Sequence, residues 1–231
     1  MPEIPPCPRC DSEYGQKAGS VLSPRGRVQR YLCLKCGKKF HISLKARGPN
    51  DYGRMGFLDI EASQLTATFG ILFSWAIKPR GGRGRASVQA EVLKARTLAA
   101  ERQLLNALLE ALKAYDTVVT YYGSRFDIPF IRTRCLFHGL PFPRYLDLYH
   151  LDLYYVVRNR LKLHSNRLAV AAEHLGIKGK TPVTASTWAA ANMGEKWAFE
   201  EILKHNIGDV VVLEKVYKVL EPFMRPTRTS I

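Results

Sequence analysis

From residue 55 onward the apolar positions change their period several times, and each change marks an expected element. Met55-Gly-Phe-Leu-Asp-Ile60 is a short apolar run ending in acids, and Phe69-Gly-Ile-Leu-Phe-Ser-Trp-Ala-Ile77 is a longer one. Both read as strands. Lys78-Pro-Arg-Gly-Gly-Arg-Gly-Arg85 follows, a basic glycine-rich stretch suited to a hairpin tip and equally to phosphate contact or to solvent. Leu98, Leu104, Leu105, Leu108, Leu109 and Leu112 recur at helical spacing, which predicts an amphipathic helix over 97–115. The β-branched and aromatic run Asp116-Thr-Val-Val-Thr-Tyr-Tyr122 predicts a strand, with a helix starting near Ile128 or Pro129. Residues 147–160, 167–175 and 198–220 read as helices, the last two separated by a looser stretch that holds Trp188 and Trp197. Early strands with later helices predict a mixed α/β domain.

The first 50 residues are organised differently. Four of the five cysteines form two pairs, Cys7-Pro-Arg-Cys10 and Cys33-Leu-Lys-Cys36, with 22 residues between them. Each Cys-x-x-Cys turn aims two thiolates at one point, so the two turns supply the tetrahedral sulfur set that Zn²⁺ prefers. Four sulfurs leave no open position, and the expected role is structural. Val28-Gln-Arg-Tyr-Leu32 reads as a short strand leading into the second turn, and Phe40 as the cap of a very small core. The segment Arg30-Tyr-Leu-Cys-Leu-Lys-Cys-Gly-Lys-Lys-Phe-His41 resembles a zinc ribbon of the kind found in transposase and transcription-associated proteins. The polar, Gly- and Pro-containing stretch 46–53 is the expected linker. The reading is therefore a ribbon over 1–48 and an α/β domain over 54–225. Cys135 stands alone and reads as a buried thiol.

Composition narrows the function. The chain has 231 residues and is 46% hydrophobic, which excludes a disordered polybasic tail. Its 35 Lys and Arg against 20 Asp and Glu leave a formal charge of +15, which points to a polyanionic partner, most simply nucleic acid. Residues 1–50 hold 10 Lys and Arg against 3 acids, so the ribbon reads as a docking element for nucleic acid or for a protein. There is no apolar run of about 18 residues, and the N-terminus lacks the charged-then-apolar order of a signal peptide. The expectation is a cytoplasmic, soluble protein without a membrane partner.

Carboxylates at the ends of apolar elements carry the candidate chemistry: Asp59 and Glu61, Asp127, and Asp209. Period-2 alternation puts Asp59 and Glu61 on one face of a strand. Such a pair at the edge of a core needs cations, and oxygen ligands suit Mg²⁺ or Mn²⁺. His205 precedes Asp209 by four residues and so shares its helix face.

Three segments together resemble the DEDD 3′–5′ exonucleases of the ribonuclease H-like superfamily, in the branch related to proofreading domains of B-family DNA polymerases. Phe57-Leu-Asp-Ile-Glu61 resembles the first motif, Tyr122-Gly-Ser-Arg-Phe-Asp-Ile-Pro-Phe130 the second, and His205-Asn-Ile-Gly-Asp-Val210 the third. The resemblance covers residues 55–220. It implies a ribonuclease H-like mixed sheet flanked by helices, two Mg²⁺ or Mn²⁺ ions held by Asp59, Glu61, Asp127 and Asp209, and a single-stranded 3′ end as substrate, with DNA favoured. It also places His205 where a subclass has tyrosine, to orient or deprotonate the attacking water. Tyr122 and Arg125, inside the second motif, are the candidate substrate contacts. Among Tyr121, Tyr122, Tyr149, Tyr154 and Tyr155, Tyr122 is the candidate for stacking on a terminal base, and the others read mainly as core. The chain departs from the family pattern in having Tyr122 where many relatives have Asn, and Ala62 where Thr commonly follows the glutamate. Asp147 and Asp152 fall in the region where relatives often have Asp-Leu after a strand and read equally as ordinary helix-start acids, and are left outside the site. Two alternatives share these features: a catalytically silent nucleic-acid-binding adaptor, and a ribonuclease H-like endonuclease.

Overall fold

The computed structural model describes residues 4–23, 26–42, 53–144, 147–179 and 182–224. Contacts divide the chain into two compact units, 1–51 and 52–231. The expected linker, apart from Gly53, and the expected domain bounds at 48 and 225 lie outside the described residues.

The first unit is a three-stranded antiparallel sheet in the order β1 (Gly15–Ser23), β2 (Gly26–Cys33), β3 (Lys39–Ile42). The expected strand over 28–32 is the body of β2. Cys33 ends that strand, and the chain reverses at once, with Gly37 N donating to Cys33 O at 3.0 Å. Gly37 takes φ +69°, a conformation that side chains resist, so glycine suits the turn. Phe40 is buried with Cys7 and Cys33 and stacks on Tyr31 at 5.6 Å.

The second unit is built on a five-stranded sheet. Its strands are β4 (Met55–Ala62), β5 (Leu72–Pro79), β6 (Gln89–Val92), β7 (Thr117–Thr120) and β8 (Tyr149–Asp152), in the order β6-β5-β4-β7-β8. β5 runs antiparallel to both β4 and β6, whereas β7 pairs in parallel with both β4 and β8. The basic stretch at 78–85 forms the expected hairpin connection, which ends in a 3-10 turn at Arg85–Ser87. The helices are α1 (Leu98–Leu112), α2 (Asp127–Phe137), α3 (Leu153–Arg160), α4 (Leu168–His174), α5 (Ala185–Met193) and α6 (Lys196–Leu220).

Strand alternation sorts the core onto two faces of the sheet. Leu58 and Ile60 pack with Leu104, Leu105 and Leu108 of α1 and Ile128 and Ile131 of α2. Met55 and Phe57 pack instead with Leu213, Val216 and Tyr217 of α6, and the Phe57 and Tyr217 rings meet edge to face at 5.3 Å. Asp59 and Glu61 continue the Phe57 series, so they point toward α6.

Two expectations need correction. The helix read over 147–160 begins only at Leu153, because Tyr149–Asp152 pairs with β7 as an outer strand, Thr117 opposite Tyr149 through Thr120 opposite Asp152. That partner lies some 30 residues away, beyond any local periodicity. The stretch read as loose before residue 198 contains α5, with Thr184 accepting a hydrogen bond from Thr187 N at its start and Gly194 left-handed at its end. Among the described residues no helix is long and apolar enough to cross a membrane.

Candidate active site

β4 delivers Asp59 and Glu61 to the side facing α6, and its pairing with β5 slips between Glu61 and Ala62. Such irregularities re-aim strand ends beside functional sites. Asp127 opens α2, and its Oδ1 accepts a hydrogen bond from Ile60 N at 3.2 Å, which ties the second motif to the first strand. On α6 the four-residue spacing brings His205 Nε2 to 3.7 Å from Asp209 Oδ2, and the same nitrogen lies 3.4 Å from Glu61 Oε1. Three distant segments thus meet at the end of β4.

Burial and like charge act on the carboxyls gathered there. Burial holds the Asp59 carboxyl well above the usual carboxylate range, and the charges of Glu61, Asp127 and Asp209 push it further in that direction. Burial also raises Asp127 to about 7, against the opposing hydrogen bonds from its own amide and that of Ile60. Like charges this close cannot all be ionised without cations nearby. An all-oxygen donor set of this kind fits Mg²⁺ or Mn²⁺.

Two participants were not apparent from the sequence. Asn206, fully buried, donates from Nδ2 to Asp59 Oδ2 at 2.6 Å while its Oδ1 accepts from Ser74 Oγ at 3.2 Å. Its position immediately after His205 was the available signal. Asp152, which the sequence reading set aside, accepts from Tyr122 N (2.7 Å), Ser124 N (3.0 Å), Ser124 Oγ (2.6 Å) and Tyr154 N (3.0 Å). It thereby shapes the turn that carries the second motif. Asp147, by contrast, accepts from Arg144 N within its own turn.

Tyr122 is 45% exposed beside this turn, with φ +67° and its ring edge-on to Tyr154 at 4.7 Å. Tyr121 and Tyr155 also meet Tyr154 edge to face, at 6.1 and 5.2 Å. The tyrosines at 121, 154 and 155 are half-buried and form a cluster at the surface. Arg125 Nε donates to Tyr155 OH at 3.4 Å, which places Arg125 with these rings. Trp75 is core, its Nε1 donating to Leu104 O, and Trp188 stacks on Phe73, whereas Trp197 is exposed. Cys135 is buried, and burial pushes its thiol up to about 12.

In the first unit Cys7, Cys10, Cys33 and Cys36 bring their sulfurs within 4.8 Å of one another, with Cys7–Cys36 at 3.6 Å and Cys10–Cys33 at 3.7 Å. A tetrahedron with Zn–S bonds of about 2.3 Å has edges of about 3.8 Å. Amides of Cys36 and then Lys35 lower the Cys33 thiol to about 7, while Cys10, against a bond from the Ser12 amide, is raised to about 12 by desolvation and by crowding with the other three sulfurs. The cluster is consistent with a zinc ribbon.

Comparison with known proteins places the fold. A family model described as the RNase H superfamily matches residues 56–221. A DNA polymerase of Methanocaldococcus jannaschii is 29% identical over a segment that covers 27% of this chain and 5% of the polymerase. The structure of the family B DNA polymerase of the hyperthermophilic archaeon Pyrobaculum calidifontis is similar in fold, with a TM-score of 0.62 and 16% identity, over 90% of this chain and 28% of that one. The chain therefore spans only a small part of either polymerase.

Proposed function

Because the chain belongs to the RNase H superfamily, we propose that its second unit is a metal-dependent nuclease that removes nucleotides from the 3′ end of single-stranded DNA. One observation carries this reading: the carboxylates of three separate segments converge at the end of β4, Asp127 bonded to the Ile60 amide beside Asp59, and His205 on α6 reaching both Glu61 and Asp209. The 3′ polarity follows from the resemblance of the three motifs to the DEDD exonucleases. DNA is favoured over RNA because both similar proteins are DNA polymerases.

Asp59, Glu61 and Asp209 would hold one Mg²⁺ or Mn²⁺, and Asp59 with Asp127 a second. When bound, the pair supplies neutralisation of the charge that grows on the phosphate and a lowered pKa for water. The protein's own groups do the rest. His205 Nε2, between Glu61 and Asp209, accepts the proton of the attacking water. Asn206 fixes the rotamer of Asp59, and the Ile60 amide fixes Asp127. Tyr122 offers an exposed ring to the terminal base, and Arg125 a cation next to it.

In the first unit the four cysteines would hold one structural Zn²⁺ as a closed site. The basic ribbon around it would serve as a docking element for nucleic acid or for a protein partner.

The reading is tested with purified protein, Mn²⁺ or Mg²⁺, and 5′-labelled single-stranded DNA and RNA, with Asp59→Ala as control. A ladder shortening from the 3′ end, absent in the control, is the expected result. Internal cuts would indicate an endonuclease, and binding without cleavage an adaptor. His205→Ala should lower the rate.

A further inference from the structure

Gly208 lies on α6 immediately before Asp209 and is buried. A Cβ at this position would sit 3.5 Å from Arg85 Nη2 and 3.6 Å from Gly179 O. A Cβ there would be in ordinary contact with both groups, so the Arg85 guanidinium lies against α6 one residue before Asp209. Arg85 also lines a cleft of about 280 Å³ together with His205, Lys204, Glu201 and Thr187. Lys204 in that cleft is neutralised by Glu201 at 2.7 Å. Arg85 has no carboxylate partner among the described residues, and it lines the cleft as an exposed cation.

The connection that carries Arg85 is fastened to α6. Lys78 and Glu214 form a buried ion pair at 2.6 Å, with side chains 1% and 5% exposed. Lys78 Nζ also donates to Gly82 O at 2.6 Å, and Gly81 N donates to Glu214 Oε1 at 2.9 Å. Breaking a buried pair strands a charge, so this attachment is expensive to undo. Arg80 adds a bond to Glu221 at 2.6 Å. The basic hairpin connection is thus held against the helix that bears His205 and Asp209.

We propose that Arg85 and the cleft it shares with His205 form a phosphate subsite, which takes a backbone phosphate of the single strand adjacent to the linkage being cut. The proposal rests on the nuclease reading above and adds to it a strand-binding residue from outside the three motifs. A guanidinium matches two phosphate oxygens at once. It also supplies positive charge where four carboxylates would otherwise repel the polyanion.

The test measures binding of labelled single-stranded DNA to the full chain with Ca²⁺ in place of Mn²⁺, over a range of salt, and cleavage kinetics with Mn²⁺. Arg85→Ala should weaken binding about tenfold, raise KM similarly with little change in kcat, and flatten the slope of log affinity against log salt by about 0.7. Arg85→Lys should recover part of the loss, because it restores the charge without the fork. Arg83→Ala, on the same connection, should have a clearly smaller effect. An Arg85→Ala protein with unchanged affinity, KM and salt slope, or with a loss no larger than that of Arg83→Ala, overturns the subsite while leaving cleavage by the wild type to support the nuclease reading. If the wild type binds DNA without cutting it and Arg85→Ala still weakens binding with the flatter slope, the subsite stands and the nuclease reading falls. Failure of the wild type to bind at all overturns both.

Discussion

Asn206 Nδ2 donates to Asp59 Oδ2 at 2.6 Å, joining residues 147 positions apart and fixing the carboxylate that the other three acids surround. Groups that orient a metal ligand typically matter by about 10–100-fold in affinity or activity. Asn206→Ala should therefore weaken Mn²⁺ binding by about that factor, measured by isothermal titration.

Asp59 itself should trade stability for function. Its carboxyl is destabilised by burial and by three like charges, so Asp59→Asn relieves repulsion while its amide oxygen can still accept from Asn206. In metal-free buffer this variant should be more stable by about 0.5–2 kcal/mol. Added Mn²⁺ should raise the melting midpoint of the wild type and leave that of the variant unchanged. A variant less stable than the wild type without metal would contradict this account.

Tyr122 holds φ +67°, a left-handed conformation that costs about 1–2 kcal/mol for a residue of this kind. Asn tolerates that conformation. In Tyr122→Asn, relief of strain should offset the lost edge contact with Tyr154, worth about 0.5–1.5 kcal/mol, and stability should stay within about 1 kcal/mol of wild type. Affinity for single-stranded DNA should fall by about 1–3 kcal/mol if the ring stacks on a base. Loss of stability with unchanged binding would make Tyr122 a packing residue.

The ribbon should depend on its metal. Structural zinc supplies folding free energy directly, and the first unit has only a small core around Phe40. Metal analysis should find one Zn²⁺ per chain, and Cys33→Ser should release it. Hydrogen exchange in β2 should then lose its protection while β4 and β5 keep theirs.

His150 should make the second unit sensitive to acid. Burial lowers this imidazole to about 4, with Asp152 opposing, and its Nε2 lies 2.8 Å from Thr120 Oγ1. A histidine whose folded pKa is depressed takes up its proton more readily when unfolded. Its contribution is fully present above about pH 6.5 and is lost as the pH falls toward 4, by at most about 3 kcal/mol. Urea unfolding at pH 7, 5.5 and 4.5 should show this decline, and His150→Gln should flatten it.

Parts of the site were legible because they depend only on backbone periodicity. Alternation sets Asp59 and Glu61 on one face of any strand they occupy, and a four-residue interval sets His205 over Asp209 on any helix. A pair of Cys-x-x-Cys turns likewise declares its chemistry locally. The boundaries of α5 were also readable, since Thr184 and Gly194 are ordinary cap residues, and the sequence reading passed over them. The assignment of Tyr149–Asp152 was different in kind. Four residues leading into a helix became a strand only because β7 offered its free edge.

The sequence by itself determined which carboxylates, thiols and imidazole this protein can present, and which of them share an element face, because covalent spacing and helix or strand period do not depend on the rest of the fold. Tertiary structure alone decided that Asn206 reaches Asp59, that Asp152 holds the turn at Tyr122, and that Arg85 descends on Gly208. Those relationships arise from packing an antiparallel hairpin, a parallel edge strand and α6 on one sheet. Their distances are set by long-range contacts that no local pattern encodes.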